Sequence, residues 1–161
     1  MNTFNNEKGL NMSKVLDILS ERLADEGVEI KLGERDGETT VNAILEGMGE
    51  DEDGAIVCEI SQIAADDEAG DTYYSFYTVI ADHLEESTHT GTMMNLNDMN
   101  AELLIGAYGI LTETGTIYHK YVCKVVTKDE EQVAELLYSN FVDVVASVYN
   151  DYDRVFEGIV E

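Results

Sequence analysis

The sequence predicts an α+β fold: a curved antiparallel sheet with helices packed on one face and a long C-terminal helix. Two periodicities indicate it. Apolar residues alternate with polar ones over several short runs, and they recur every three or four positions near both ends of the chain. Short turns between the strand-like runs favour antiparallel pairing, because parallel strands need longer crossovers. With 161 residues, 44% of them hydrophobic, the chain is long enough to form one domain with its own core.

The N-terminal part predicts a leader followed by a helix. Residues 1–11 are polar and lack an apolar segment, so we expect them to form a flexible leader rather than a secretion signal. Residues 12–161 are then expected to form a single α+β domain. Ser13 can cap a helix that runs to about Glu26, and Gly27 suits the position just after a helix.

Four strands are predicted next, because each run alternates or is rich in β-branched and aromatic residues. They cover Val28–Leu32, Thr39–Glu46, Ala55–Ala64 and Tyr73–Leu84. An acidic turn with several glycines, Gly47–Gly54, separates the second and third strands, and a second acidic loop, Asp66–Asp71, precedes the fourth. The mixed apolar pattern of the fourth run leaves a helical alternative open.

The C-terminal part predicts a helix, a hairpin and a long helix. The predicted segments are a loop at Glu85–Met94, a short helix at Asn95–Leu104, and hairpin strands at Gly106–Glu113 and Thr116–Val126. Thr127 and Glu130 have the spacing of a capping box. An amphipathic helix of about eight turns follows. Its apolar stripe comprises Val133, Leu137, Phe141, Val144, Val148, Tyr152, Val155 and Ile159.

The charge of the chain excludes two classes of partner. The sequence holds 34 acidic and 9 basic residues, for a net charge of −25, and residues 36–119 contain no lysine or arginine. Without a basic groove, binding to the phosphates of nucleic acid or to an anionic membrane is not expected. No segment reaches the ~20 apolar residues of a membrane span. We expect a basic or neutral protein or peptide as partner, with acidity that serves only solubility as the alternative.

The sequence predicts no catalytic, metal or cofactor site, and therefore not an enzyme. Cys58 and Cys123 lack CxxC spacing and are expected to be reduced thiols in the cytoplasm, with a disulfide as the alternative if their strands are neighbours. Ile60 stands where an EF-hand loop counted from Gly54 needs its last carboxylate, which leaves only weak cation binding as an option. The histidines also lack the spacing of metal ligands: His83, His89 and His119.

An aromatic cluster supplies the candidate partner-binding residues. Successive side chains of a strand point to opposite faces, so some of these rings must point away from the core. We expect outward rings to bind a protein or peptide, or alternatively to be covered by a second helix or a dimer mate. The candidates are Tyr73, Tyr74, Phe76, Tyr77, Tyr108, Tyr118 and Tyr121.

The segment Asn97–Ile110, followed by Gly115–Tyr118, resembles the YbjN-like family of bacterial proteins. In that family a short asparagine-bearing helix leads into a strand with a glycine and an aromatic residue, then a glycine turn and a second strand. A long terminal helix closes the domain, so the resemblance extends over about residues 13–159. It implies a fold similar to type III secretion chaperones, an α+β sandwich that often dimerises and binds polypeptides. It carries over no catalytic residue.

Two functions follow as hypotheses. The first is a non-enzymatic, cytoplasmic bacterial protein- or peptide-binding module, homodimeric and with a regulatory role as an option. The second is an acidic immunity-type or decoy protein that masks a basic nucleic-acid-binding partner. Strong dependence of binding on salt would favour a basic partner in either case.

Overall fold

The structure is a computed structural model that describes residues 3–66, 68 and 70–159. Its helices are α1 (Thr3–Asp25), α2 (His89–Asn100) and α3 (Glu130–Val155). A short 3-10 turn, Glu86–Thr88, precedes α2. The strands are β1 (Glu29–Arg35), β2 (Glu38–Met48), β3 (Gly54–Asp66), β4 (Asp71–Ala81), β5 (Ala107–Leu111) and β6 (Thr116–Val125). The predicted α+β class, antiparallel sheet and long C-terminal helix are confirmed, and the fourth predicted strand is a strand and not a helix.

The six strands form one open sheet in the order β1-β2-β3-β4-β6-β5, and every neighbouring pair is antiparallel. The register shifts once in each of β2, β3 and β4, between Glu46 and Met48, between Gln62 and Ala64, and between Val79 and Ala81. Such irregularities increase local twist and bend the strand that contains them. The sheet therefore curves, and its two outer strands are β1 and β5.

The core lies between one face of the sheet and the helices. One cluster joins α1 and α3 to the middle of the sheet, with Leu16, Leu19, Leu23, Phe76, Leu137 and Phe141 among its members. A second cluster joins α2 and the end of α3 to the other end of the strands, with Ile56, Ile80, Leu96, Met99, Ile117 and Val148 among its members. Each fully buried side chain of this size contributes roughly 1.5–3 kcal/mol, so the two clusters fix the helices on one face of the sheet.

Helix α1 is longer at its start than the sequence predicts. It begins at Thr3, ten residues before Ser13, because helix propagation from the packed segment adds one hydrogen bond per residue and no proline interrupts it. Whether residues 1–11 are flexible stays a prediction. At the other end Gly27 has a φ of +85°, and the Val28 amide donates to the Leu23 carbonyl at 3.0 Å. This is the glycine-terminated helix end that the sequence predicts.

Helix α2 begins six residues earlier than predicted. It starts at His89, so much of the predicted loop Glu85–Met94 is helical, and it ends at Asn100 rather than at Leu104. The buried face of α2 includes two polar residues, His89 and Thr92, which hide its periodicity in the sequence. The start of α2 is also held by a contact between Gly91 and Gly158, where neither backbone leaves room for a Cβ atom.

Helix α3 has a different cap from the predicted one. Asp129 is the N-cap, and its Oδ1 accepts a hydrogen bond from the Gln132 amide at 3.0 Å. The Thr127 hydroxyl instead accepts from the Asp129 amide at 3.3 Å, one step before the helix. The predicted Thr127–Glu130 capping box is therefore wrong by two residues. Among the residues that the structure describes, no helix is both long and apolar enough to cross a membrane.

Candidate protein-binding surface

One face of the sheet is not covered by any described helix, and we call it the open face. It is made of the strand residues whose side chains alternate with those of the core. Register partners line up in three central rows across the strands. The first row is Ile44, Val57, Val79 and Tyr118. The second is Asn42, Glu59, Tyr77 and Lys120. The third is Ser61, Ser75 and Val122, of which the two small serines are buried between their larger neighbours.

The open face presents apolar groups to solvent. Val57 is 37% exposed and Val122 is 40% exposed. The rings of Tyr77 and Tyr118 stack with their centroids 5.2 Å apart and their planes inclined by 22°. The Tyr118 ring also lies over Gly109, where any Cβ atom would clash with it. A partner that covers these valines and tyrosines would therefore remove apolar surface from water.

The open face is nearly neutral, whereas the chain is strongly acidic. Its described side chains include four basic and five acidic residues, a net charge of −1 against −25 for the whole chain. These residues are Lys31, Arg35, Lys120 and Lys124, with Glu29, Glu38, Glu46, Glu59 and Asp71. Arg35 pairs with Glu59 at 3.0 Å, and Lys124 pairs with Asp71 at 2.9 Å. A second protein can therefore approach this face against less repulsion than elsewhere.

A hollow of about 290 Å³ lies beside the open face, between α2 and β5. Tyr118 lines the hollow and also belongs to the open face, so the two surfaces are continuous. The exposed Met93, at 47%, lies at the hollow, and Met94 beside it in the sequence is 67% exposed. Methionine side chains adapt to irregular apolar surfaces, which suits the binding of a polypeptide. The remaining lining residues are Leu96, Asn97, Asn100, Tyr108, Gly109 and Ile110.

The structure divides the seven aromatic candidates between the two faces of the sheet. Three of them lie on the open face: Tyr73, Tyr77 and Tyr118. The other four lie on the helix face: Tyr74, Phe76, Tyr108 and Tyr121. Tyr74, Phe76 and Tyr108 are at most 4% exposed, so they are core residues. The Tyr121 hydroxyl donates to Asn140 Oδ1 of α3 at 3.1 Å. Tyr73, Tyr77 and Tyr118 are therefore the aromatic candidates available on the open face, and Tyr121 is partly exposed on the opposite face.

Several residues of this surface do not stand out in the sequence. Val57, Val122 and Lys120 belong to strands that also carry core residues, and the register alone shows which face each one occupies. Met93 lies in a segment predicted to be a loop. Strand alternation could have identified the two valines. If Cys58 and Cys123 are assigned to the core, their neighbours Val57 and Val122 must point to the opposite face of the sheet.

A row of polar side chains crosses the helix face between the two apolar clusters. Cys58, Thr78, His119 and Tyr108 are successive register partners on β3, β4, β6 and β5. The Tyr108 hydroxyl donates to Asp151 Oδ2 of α3 at 3.1 Å. The His119 ring nitrogen Nε2 lies 3.2 Å from the Ile105 carbonyl oxygen, within hydrogen-bond distance, and the ring packs edge-on against Tyr108.

Burial keeps this polar row neutral. It raises the pKa of the Cys58 thiol to about 12, and it also raises the pKa of the Tyr108 phenol. Burial lowers the pKa of His119, so the imidazole is uncharged at neutral pH. A protonated thiol and a buried neutral imidazole do not provide an activated nucleophile. The row is therefore best explained as packing between the two clusters.

The other residues with potential chemistry are also accounted for in the described part of the chain. Cys58 and Cys123 are free and buried, on strands separated by β4, so the disulfide alternative is not realised. His89 Nε2 lies 3.0 Å from the Leu84 carbonyl, whereas His83 is exposed. Within residues 3–66, 68 and 70–159, no three His, Cys, Asp or Glu side chains are grouped so that they could hold a metal ion.

Comparison with known proteins gives no assignment. No model of a known protein family matches the sequence, and no curated protein matches it.

Proposed function

We propose that the protein is a non-enzymatic, cytoplasmic protein- or peptide-binding module whose open face binds a polypeptide segment of low net charge. The observation that carries this proposal is the coincidence of exposed apolar side chains and near-neutral charge on one uncovered sheet face. Burial of apolar surface stabilises a complex by about 25 cal/mol per Å². On this face the low net charge adds little electrostatic repulsion against a partner.

Three further observations support the same class of function. The hollow beside Tyr118 offers a place for one apolar side chain of the bound segment. The polar row in the core is neutral and buried, which gives no support to a catalytic role. The resemblance to the YbjN-like family also implies binding of polypeptides, and two reduced, buried cysteines fit the cytoplasm.

A decoy function is the second candidate, and the charge distribution favours it as an alternative. Because the open face holds four of the nine basic residues, the remaining surface is even more acidic than the average of the chain. The turn with Glu50, Asp51, Glu52 and Asp53 is exposed and belongs to this acidic surface. A basic partner would bind there rather than on the open face, and salt would weaken its binding.

The test places one new carboxylate on each surface. Val57→Glu changes the open face, and Val142→Glu changes the solvent side of α3, where Val142 is 45% exposed. Both variants have the same net charge and are first checked for native circular dichroism. A display library of random peptides is selected against the wild-type protein. The dissociation constants of the selected peptides are then measured for all three proteins in low and moderate salt.

The proposal predicts apolar peptides of low net charge. Their binding should weaken at least about tenfold in Val57→Glu, because a carboxylate must be buried against apolar groups, and it should be unchanged in Val142→Glu. Lysine- and arginine-rich peptides that salt releases, and that Val57→Glu does not affect, would favour the decoy function instead. Failure to select any peptide whose binding depends on Val57 would overturn the proposal for the open face.

A further inference from the structure

The two edges of the sheet differ in their protection. At the β5 edge, the Asn100 side chain occupies both main-chain groups of Tyr108: its Oδ1 accepts from the Tyr108 amide at 2.7 Å, and its Nδ2 donates to the Tyr108 carbonyl at 2.9 Å. At the β1 edge, no strand of the described chain pairs beyond β1. Leu32 is 60% exposed there. An edge strand of seven residues with no strand paired beyond it is able to pair with another strand.

The turn after β1 shows which main-chain groups point outward. Asp36 and Gly37 have φ values of 54° and 82°, as in a two-residue type I′ hairpin turn. Such a turn is closed by a hydrogen-bonded pair, here Arg35 with Glu38. Because hydrogen-bonded positions alternate along an antiparallel strand, Arg35, Gly33, Lys31 and Glu29 use their main-chain groups toward β2. The amides and carbonyls of the residues between them point to the open edge: Ile30, Leu32 and Glu34.

These three residues define one favourable register with a second copy of the chain. A two-fold axis at Leu32 places Leu32 opposite Leu32 of the second copy, and Ile30 opposite Glu34 of the second copy. All outward groups of β1 are then paired, in six hydrogen bonds. The same register places Glu29 opposite Arg35 of the second copy, twice by symmetry. A shift of the axis by one residue places Lys31 opposite Lys31 or opposite Arg35, and like charges in direct opposition are destabilising.

We propose that two copies of this chain pair along β1, around a two-fold axis at Leu32, and form a continuous antiparallel sheet. The seven residues of β1 have two acidic and two basic side chains, and so no net charge in a chain of −25. The pairing leaves the open face of each copy free, so it stands or falls independently of the proposed peptide binding. A single edge is small compared with a standard interface, so the dimer forms only at high protein concentration. Salt strengthens it, because salt screens the repulsion between the two acidic chains.

Two variants test the geometry by sedimentation velocity over a concentration series in low and moderate salt. Leu32→Pro removes the outward-facing amide at the two-fold axis without removing a bond to β2, since proline is tolerated on an edge strand. Glu29→Arg places two arginines opposite each other, although it makes the chain less acidic overall. Leu104→Ala is the control, because Leu104 is 97% exposed and remote from β1 in the sequence. Circular dichroism establishes that each variant is folded.

The wild type and Leu104→Ala should dimerise alike, and more strongly as salt rises. Leu32→Pro should remain monomeric at all concentrations, and Glu29→Arg should raise the dissociation constant about tenfold, because two attractive pairs become repulsive. A wild type that stays monomeric at roughly millimolar concentration in moderate salt would overturn the proposal. A dimer that both variants leave unchanged would also overturn it, and would indicate an interface elsewhere.

Discussion

His119 lies in the middle of the core with its imidazole uncharged, and this makes the fold sensitive to acid. Burial lowers its pKa, so the unfolded chain binds a proton more readily than the folded chain. The stability that this neutral histidine supports is present above the unfolded pKa of about 6.5 and is lost as the pH falls below that value. The loss can reach about 1.4 kcal/mol per pH unit for one group.

We therefore predict that wild-type protein loses more stability between pH 7.5 and pH 5.5 than His119→Gln does, by on the order of 1 kcal/mol. Glutamine keeps a donor for the Ile105 carbonyl but does not titrate in this range. Urea unfolding at each pH provides the measurement, and carboxylates common to both proteins cancel in the difference. His83→Gln, on an exposed side chain, should follow the wild-type curve. Parallel curves for wild type and His119→Gln would show that His119 is not the acid-sensitive group.

Individual residues were predictable only in part. The alternation of a strand correctly indicates that Tyr73 and Tyr77 point one way and Tyr74 and Phe76 the other. It does not indicate which of the two sets is buried, because both contain aromatic rings of similar size. Phe76 and Tyr74 are buried because α1 and α3 pack against their face of the sheet. The local sequence of β4 does not indicate which face the helices cover.

The start of α3 allows a direct test of capping. Asp129→Ala removes the side chain that accepts from the Gln132 amide, and we predict a loss of about 1 kcal/mol in the free energy of unfolding. Asparagine loses the charge that interacts favourably with the positive end of the helix dipole but keeps a side-chain oxygen that can accept from the Gln132 amide, so Asp129→Asn should cost less than alanine. Chemical denaturation with far-ultraviolet circular dichroism measures both changes.

Thr127→Ala is the matched comparison for this prediction. Its hydroxyl bonds to the Asp129 amide and to Gln132 Oε1, both exposed, so its loss should cost less than the loss of Asp129. A larger effect at Thr127 than at Asp129 would restore the capping box that the sequence suggests. The sequence does not decide between these caps. Thr127 with Glu130 and Asp129 with Gln132 both have the residue types and the spacing of a helix N-terminus.

Elements with one strong periodicity were predictable, and the mixed pattern of β4 was still assigned correctly as a strand, whereas α2 was misplaced. The apolar stripe of α3 and the alternation in the strands identify those elements, and short connections identify the antiparallel sheet. The prediction misplaced the start of α2 because the helix buries two polar residues, His89 and Thr92, and because its first turn contacts Gly158 through Gly91. Its position depends on the turn after α3, which lies about 70 residues away in the sequence.

The whole molecule combines a strongly acidic surface with one nearly neutral face. A net charge of −25 costs folding free energy through repulsion between carboxylates, yet it discourages unspecific contacts between copies. Basic residues concentrated on the open face and on β1 reduce that repulsion at those places. Electrostatic repulsion of a second acidic protein is therefore weakest at the surfaces with exposed valines, tyrosines and main-chain groups.

The same charge predicts how stability responds to salt. At low ionic strength of about 0.01 M the Debye length is about 30 Å, so carboxylates across the molecule repel one another, whereas at about 0.1 M it falls to about 10 Å. Screening also weakens attractive pairs such as Arg35–Glu59, but exposed pairs contribute only about 0–1 kcal/mol each. Because acidic residues outnumber basic ones by 34 to 9, relief of repulsion should outweigh the loss of these pairs.

We therefore expect the free energy of unfolding to rise by on the order of 1 kcal/mol when sodium chloride is added to a low-salt buffer. Urea is the denaturant of choice, since guanidinium is itself a salt, and the monomeric Leu32→Pro variant separates this effect from dimerisation. Potassium chloride should act like sodium chloride if the effect is screening. A variant with Glu131 and Glu135 of α3 changed to glutamine should respond less, because both side chains are exposed on the acidic surface. Stability that falls with salt would mean that attractive pairs, rather than net repulsion, dominate the electrostatics of this fold.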